Sequence, residues 1–190
     1  MKPKDDRKVE AIAAAVYRLS ARHGLSSVTL ADIAREAGVA TSTLYVYFKS
    51  REVLLDEVYR KAKTATMTRY ALKDDPAAPL KARVRRIWLN MVDHRLENQH
   101  QMAFLEQFYH SEFISETSRA LGLRMAAPFL ELLAAGQKSE QLKPLPLPLM
   151  GAAIMGLAKE TAVLLSRGDL PDNEKTRASA FQLCWDAIKA

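Results

Sequence analysis

Residues 28–51, VTLADIAREAGVATSTLYVYFKSR, constrain this chain more than any other stretch, because two short amphipathic helices and the corner between them can be read from the residue order. Thr29 is placed to accept the free backbone N–H three residues on, Asp32 to return that bond in place of the usual capping-box glutamate, and Val28 to staple onto Ile33. Leu30, Ile33, Ala34 and Ala37 then share one face, Asp32, Arg35 and Glu36 turn away, and Gly38 supplies a left-handed residue that stops the helix. Val39 fills the corner. A second helix over 41–48 turns Leu44 and Phe48 inward and leaves Thr41, Ser42, Thr43, Tyr45, Val46 and Tyr47 facing out. Small hydroxyls and two tyrosines on an exposed helix suit a groove of DNA better than a core. An ordinary helical hairpin shares the helix–glycine–helix pattern, so the next residues decide between the two. Lys49, Ser50 and Arg51 put two cations and an N-cap at the start of a further helix, where backbone N–H groups and positive charge can hold a phosphate.

At these residues the chain resembles the TetR-type bacterial transcriptional regulators, whose N-terminal signature is matched without a gap by Thr29, Ile33, Ala34, Ala37, Gly38, Val39, Thr43, Leu44, Tyr45, Tyr47, Phe48, Lys49, Ser50, Arg51 and Glu52. The match covers roughly residues 8–60. There are three departures. Ala40 stands where a capping serine is common, which passes the cap to Thr41; Arg51 replaces a commoner lysine; and Val46 takes a position that is often polar, losing a hydrogen-bonding reader but offering contact to a thymine methyl. The resemblance implies an all-α fold of about nine helices: a three-helix DNA-binding domain over 1–50, a shared fourth helix over 51–71, and a helical effector-binding and dimerisation domain over 51–190. It also implies a homodimer formed through the last two helices, and a fourth helix whose displacement by ligand changes the separation of two reading heads.

Composition sets limits without locating the site. At 190 residues, 48% hydrophobic and 26% charged, the chain needs no staples, and a single cysteine, Cys184, cannot form an internal disulfide. With no run of about 18 apolar residues and no secretory leader pattern, the expected place is the cytoplasm, with no membrane partner. The net charge of +6 fits a polyanion partner, but residues 1–62 hold only 11 Lys/Arg against 8 Asp/Glu, half of that excess. The local cations Lys2, Lys4, Arg7, Lys8, Lys49 and Arg51 carry the expectation of double-stranded DNA instead.

Along the chain, residues 1–8 read as a polar arm able to lie along DNA or simply in solvent. A first helix over 5–23 carries Val9, Ile12, Ala13, Val16 and Leu19 on one stripe and stops at Gly24. After the fourth helix, the 73–79 stretch with Pro76 and Pro79 is a break. A helix to about residue 98 then buries Val84, Ile87, Trp88, Met91 and Val92 and leaves Lys81, Arg83, Arg85 and Arg86 as a solvated face. A short aromatic helix is expected over 102–110, and a longer one over 115–136 that Pro128 should kink or break. Pro144, Pro146 and Pro148 make a spacer, and two helices over 149–166 and 173–190 finish the chain. Small residues Gly151, Ala152 and Gly156 on the first of these would let a partner helix approach closely, although both helices can equally close the monomer core.

No glycine-rich phosphate loop, G-x-S-x-G elbow or metal-ligand spacing among His23, His94, His100 and His110 appears, so neither enzymatic activity nor a metal or cofactor is expected. Trp88, Met91, Phe104, Phe108, Tyr109, Phe113, Met125 and Phe129 fall in three successive helices, and an apolar or aromatic effector is expected among them. His94, Glu106, Gln107 and His110 are the polar neighbours available to orient it. The reading that follows is a repressor released from a palindromic operator by that effector. The alternatives are a DNA-binding protein of the same fold answering to a protein partner or to no signal, and an all-α enzyme or carrier.

Overall fold

The computed structural model describes residues 6–190 and contains nine α-helices among them. They are α1 (Asp6–His23), α2 (Leu30–Ala37), α3 (Thr41–Tyr47), α4 (Arg51–Tyr70), α5 (Leu80–Glu97), α6 (Gln99–Tyr109), α7 (Glu116–Lys138), α8 (Leu147–Arg167) and α9 (Glu174–Ile188), with a 3-10 turn at Leu25–Ser27. The lysines of the expected arm at positions 2 and 4 lie outside the described residues. Arg7 and Lys8 belong to α1.

The chain forms two compact units. One holds the chain up to Thr64 together with Asn98–Gly122; the other holds Ala65–Glu97 and Leu123–Ala190. The physical reason is the packing of α6. It lies against α1, where Phe104 and Phe108 are fully buried, and an aromatic series Tyr17–Phe104–Phe108–Tyr59 runs through the first unit at centroid spacings of 5.5, 5.6 and 5.0 Å. The α1 stripe of Ile12, Val16 and Leu19 meets Ile33, Leu44, Phe48, Leu54 and Val58 in the same core.

In the second unit α5, α8 and α9 pack on one another. Val84, Trp88 and Met91 bury against Met150, Ile154 and Ala158 and against Phe181, Cys184 and Trp185. Polar side chains fix its ends. Asn90 donates to the carbonyls of Tyr70 and Leu72 at 2.9 and 2.7 Å, satisfying acceptors that the end of α4 leaves open. Arg83 makes a two-pronged pair with Asp74, and Lys81 donates to Gln182, so the cationic face expected on α5 is partly structural. Gln137 holds the proline-rich spacer by donating to the carbonyls of Lys143 and Leu145.

Pro128 does not break α7, which runs as one helix from Glu116 to Lys138 with that proline on its exposed side. Leu142 and Lys189 form an isolated antiparallel bridge, fastened by Lys143 N–H to the Ile188 carbonyl at 2.9 Å. The helix α8 is, contrary to the expectation from composition, long and apolar enough to cross a membrane, with a mean hydropathy of 1.4 over its best window. Its stripe of Met150, Ile154, Ala158, Ala162 and Leu165 is nevertheless buried against α5 and α9, as in the core helix of a globular unit.

Candidate nucleic-acid interface

The start of α2 is built as its residues dictate. The Thr29 hydroxyl accepts from Asp32 N–H at 3.2 Å and donates to the Asp32 carboxylate at 2.6 Å, while Thr29 N–H donates to the same carboxylate at 3.3 Å. These bonds, the Thr29 hydroxyl first, hold the Asp32 carboxyl below its usual range. Gly38 ends the helix at φ 67°, where a β-carbon would be strained. Glu36 does not face solvent alone. It accepts from Arg18 Nε at 2.5 Å and Arg22 Nη2 at 3.1 Å, which fastens α2 to α1 and lowers the Glu36 carboxyl from its ordinary value, chiefly through Arg18. Arg18 and Arg22 sit four apart on one helix face, a signal present in the residue order.

The next helix, α3, starts without a side-chain cap. Ala40 is its N-cap, in extended conformation, and the first turn closes by Thr43 N–H to the Ala40 carbonyl at 2.9 Å. The cap therefore does not pass to Thr41, which is already helical and exposed. Leu44 and Phe48 are buried beneath, and the outer face carries Thr41, Ser42, Tyr45 and Val46, with Tyr45 61% and Val46 76% exposed. Thr43 and Tyr47 are half-buried, and Tyr47 leans edge-on against Phe48 at 6.4 Å. Lys49 is exposed beside them, and Ser50 caps α4 by accepting from Val53 N–H at 3.3 Å.

Arg51 departs from the expected phosphate contact. Its guanidinium donates to the carbonyls of Val28 at 2.5 Å and Leu25 at 2.6 Å and lies 4.8 Å from the centre of the Phe113 ring. Carbonyls in the connector between α1 and α2 have few helical partners, and a half-buried fork satisfies two of them at once.

A family model described as bacterial regulatory proteins, tetR family, matches residues 11–58, and one described as a tetracyclin repressor-like C-terminal domain matches residues 79–189, more than half of the chain. The chain belongs to the TetR family. It is similar to an uncharacterised HTH-type transcriptional regulator of Haemophilus influenzae, 31% identical over 99 residues, 52% of this chain and 53% of that protein. It is also similar to the HTH-type transcriptional regulator BetI of Agrobacterium fabrum, 29% identical over 136 residues, 72% of this chain and 54% of that protein. These alignments span about half the length of either relative. A solved TetR family transcription regulator from Marinobacter aquaeolei VT8 is similar over its whole fold, with a TM-score of 0.91, 26% identity, and coverage of 100% of this chain and 99% of that one.

In this TetR-family chain the aromatic residues expected to line one pocket fall into two groups. Trp88, Met91 and Phe129 belong to the core of the second unit, where Trp88 packs 5.8 Å from Phe181 and its buried indole N–H has no hydrogen-bond acceptor among the described residues. Met125 is half-buried on α7 in the same unit. His94, also there, is buried with Nε2 3.0 Å from the Thr66 hydroxyl. Phe104, Phe108 and Phe113 belong to the core of the first unit, and Tyr109 is exposed with the Arg119 guanidinium over its ring at 5.7 Å. Helical spacing alone could not separate the groups, because consecutive helices α5 and α6 bury their aromatic faces against different partners. Of the polar neighbours, Gln107 is committed to the backbone of Ser20 and Leu25, and His110 is exposed.

Proposed function

We propose that this chain is a cytoplasmic, DNA-binding transcriptional regulator that acts as a homodimeric repressor released by a small apolar or aromatic effector. The observation that carries the DNA reading is the outer face of α3. A helix of seven residues leaves a tyrosine and a valine in water beside two hydroxyls and Lys49, while its other face is wholly engaged in packing. Thr41, Ser42 and Val46 are assigned to base edges, and Thr43, Tyr45, Tyr47 and Lys49 to phosphates or sugar. Thr29 gives up its phosphate role, because its hydroxyl and its backbone N–H are both bonded to Asp32. Arg51 is withdrawn from the interface. With few long polar readers, affinity rests on phosphates and DNA shape.

The dimer reading is supported by apolar side chains left in water on α8 and α9: Leu149, Met155 and Leu164 on the first, Leu183 on the second. Among the described residues, nothing beyond the local backbone of α8 lies within 4 Å of where a Gly156 side chain would start, leaving room for a second helix. Two such heads would enter successive major grooves about 34–36 Å apart. The effector reading rests on the second unit, whose core gathers Trp88, Met91 and Phe129 and leaves the Trp88 indole N–H without an acceptor among the described residues.

A salt titration with DNA from upstream of the chain's own gene tests the DNA reading. Lys49→Ala should weaken all sequences alike and reduce the slope of log K against log salt by about one. A changed sequence preference would reverse the assignment of roles. A thermal-shift screen of apolar and aromatic metabolites tests the effector reading. No stabilising compound, together with unaltered induction in Trp88→Phe, would favour the protein-partner alternative.

A further inference from the structure

Leu25 stands in the connector between α1 and the helix-turn-helix, and its two backbone polar groups are held by side chains from two different helices. Gln107 of α6 accepts from Leu25 N–H at 2.8 Å, while Arg51 of α4 receives no bond there but donates through Nη2 to the Leu25 carbonyl at 2.6 Å. Each grip extends to a second carbonyl. Gln107 Nε2 donates to Ser20 at the end of α1 at 3.2 Å, and Arg51 Nε donates to Val28, just before the capping box of α2, at 2.5 Å. The Leu25 side chain is itself 5% exposed, sunk in the first core between these contacts. Within the connector the local bonds are a three-residue 3-10 turn, Gly24 N–H to the Ser20 carbonyl, and the Ser27 hydroxyl donating to the carbonyls of His23 and Gly24, and none of them engages the Leu25 N–H. Gln107 lies far beyond residues 11–58, the stretch matched by the N-terminal family model.

We propose that Arg51 and Gln107 are positioning residues for DNA recognition. Neither touches DNA. Together they set the pose of α2 and α3 by fixing both peptide groups of Leu25. The inference rests on the DNA-binding reading and adds to it the residues that hold the reading head in place.

The test uses the full chain, DNA from upstream of its own gene, and Gln107→Met, Gln107→Glu, Arg51→Lys and the double variant Arg51→Lys/Gln107→Met. Gln107→Met keeps side-chain length and removes both bonds. It should weaken DNA binding about tenfold, with the salt slope unchanged, because the phosphate contacts are intact. Hydrogen exchange should speed up at the Leu25 amide and not across the two cores. Gln107→Glu retains the acceptor and loses the donor, so it should keep Leu25 protected and bind DNA between wild type and Gln107→Met. Since both grips act on one residue, the double variant should lose less than the product of the single losses. Folded Gln107→Met that binds within twofold of wild type overturns the proposal. So does a loss accompanied by faster exchange throughout both cores, or a double variant that loses the full product. Wild-type protein that fails to bind any DNA would overturn the underlying DNA reading, and this is visible before any variant is compared.

Discussion

At the residue scale, burial decides what His94 can do. Its imidazole is 6% exposed, beside the Thr66 hydroxyl and edge-on to Tyr70 at 5.9 Å. Desolvation holds it below its ordinary value of 6.5, with Glu97 opposing and Arg69 and Arg95 reinforcing the shift. The unfolded chain therefore binds this proton more readily than the folded one. The stability His94 contributes is complete above pH 6.5 and is lost as pH falls through the folded value. Melting temperatures followed from pH 7.5 down to 5 should fall more steeply for wild type than for His94→Gln; parallel curves would show that the imidazole stays neutral in both states. Arg51 gives the opposite lesson. A cation beside a recognition helix reads as a phosphate contact, yet the carbonyls of Leu25 and Val28 lie closer and out of water, and a guanidinium fork satisfies both.

Among the elements, α7 shows how a helix is shaped by what lies against it. The helix expected over 115–136 continues to Lys138, and Gly136 lies inside it, where close packing needs it. A methyl group on it would lie 2.6 Å from Leu80 Cδ2 and 2.7 Å from Leu142 Cδ1. Gly136→Ala should therefore destabilise by about 1–3 kcal/mol despite the better helix propensity of alanine. Chemical denaturation would measure this, and an unchanged or raised midpoint would mean that the two leucines give way freely. In α3, by contrast, the uncapped start at Ala40 leaves an easy gain. Ala40→Ser should stabilise the first unit by about 0.5–1 kcal/mol, read from the same transition.

For the whole molecule, the apolar residues on the outer sides of α8 and α9 are the feature the single chain leaves unused. Leu183 is 62% exposed, and Met155 and Leu149 stand open on the neighbouring helix. If two copies cover this surface, wild type should run in light scattering at about twice the 21.2 kDa of the chain. Met155→Glu/Leu183→Glu should then run as a monomer and lose most DNA affinity, since a single head contacts only a half-site. A wild-type monomer of full DNA affinity would refute the dimer.

The residue order by itself determined the helix-turn-helix. Its capping box, inward stripes and glycine stop are interactions within a few positions of the chain, and Thr29, Asp32, Leu44, Phe48 and Gly38 stand as local physics requires. The outer face of α3 followed from the same periodicity. Tertiary structure alone decided the rest. Which helix each aromatic face meets depends on contacts far apart in sequence, so α6 packs on α1 and buries Phe104 and Phe108 in the first core, while Trp88 and Met91 are buried in the second. The engagement of Gln107 with Leu25, 82 positions away, has no local signature at all. Long polar side chains take whichever unsatisfied backbone group folding brings within reach, and only the fold says which.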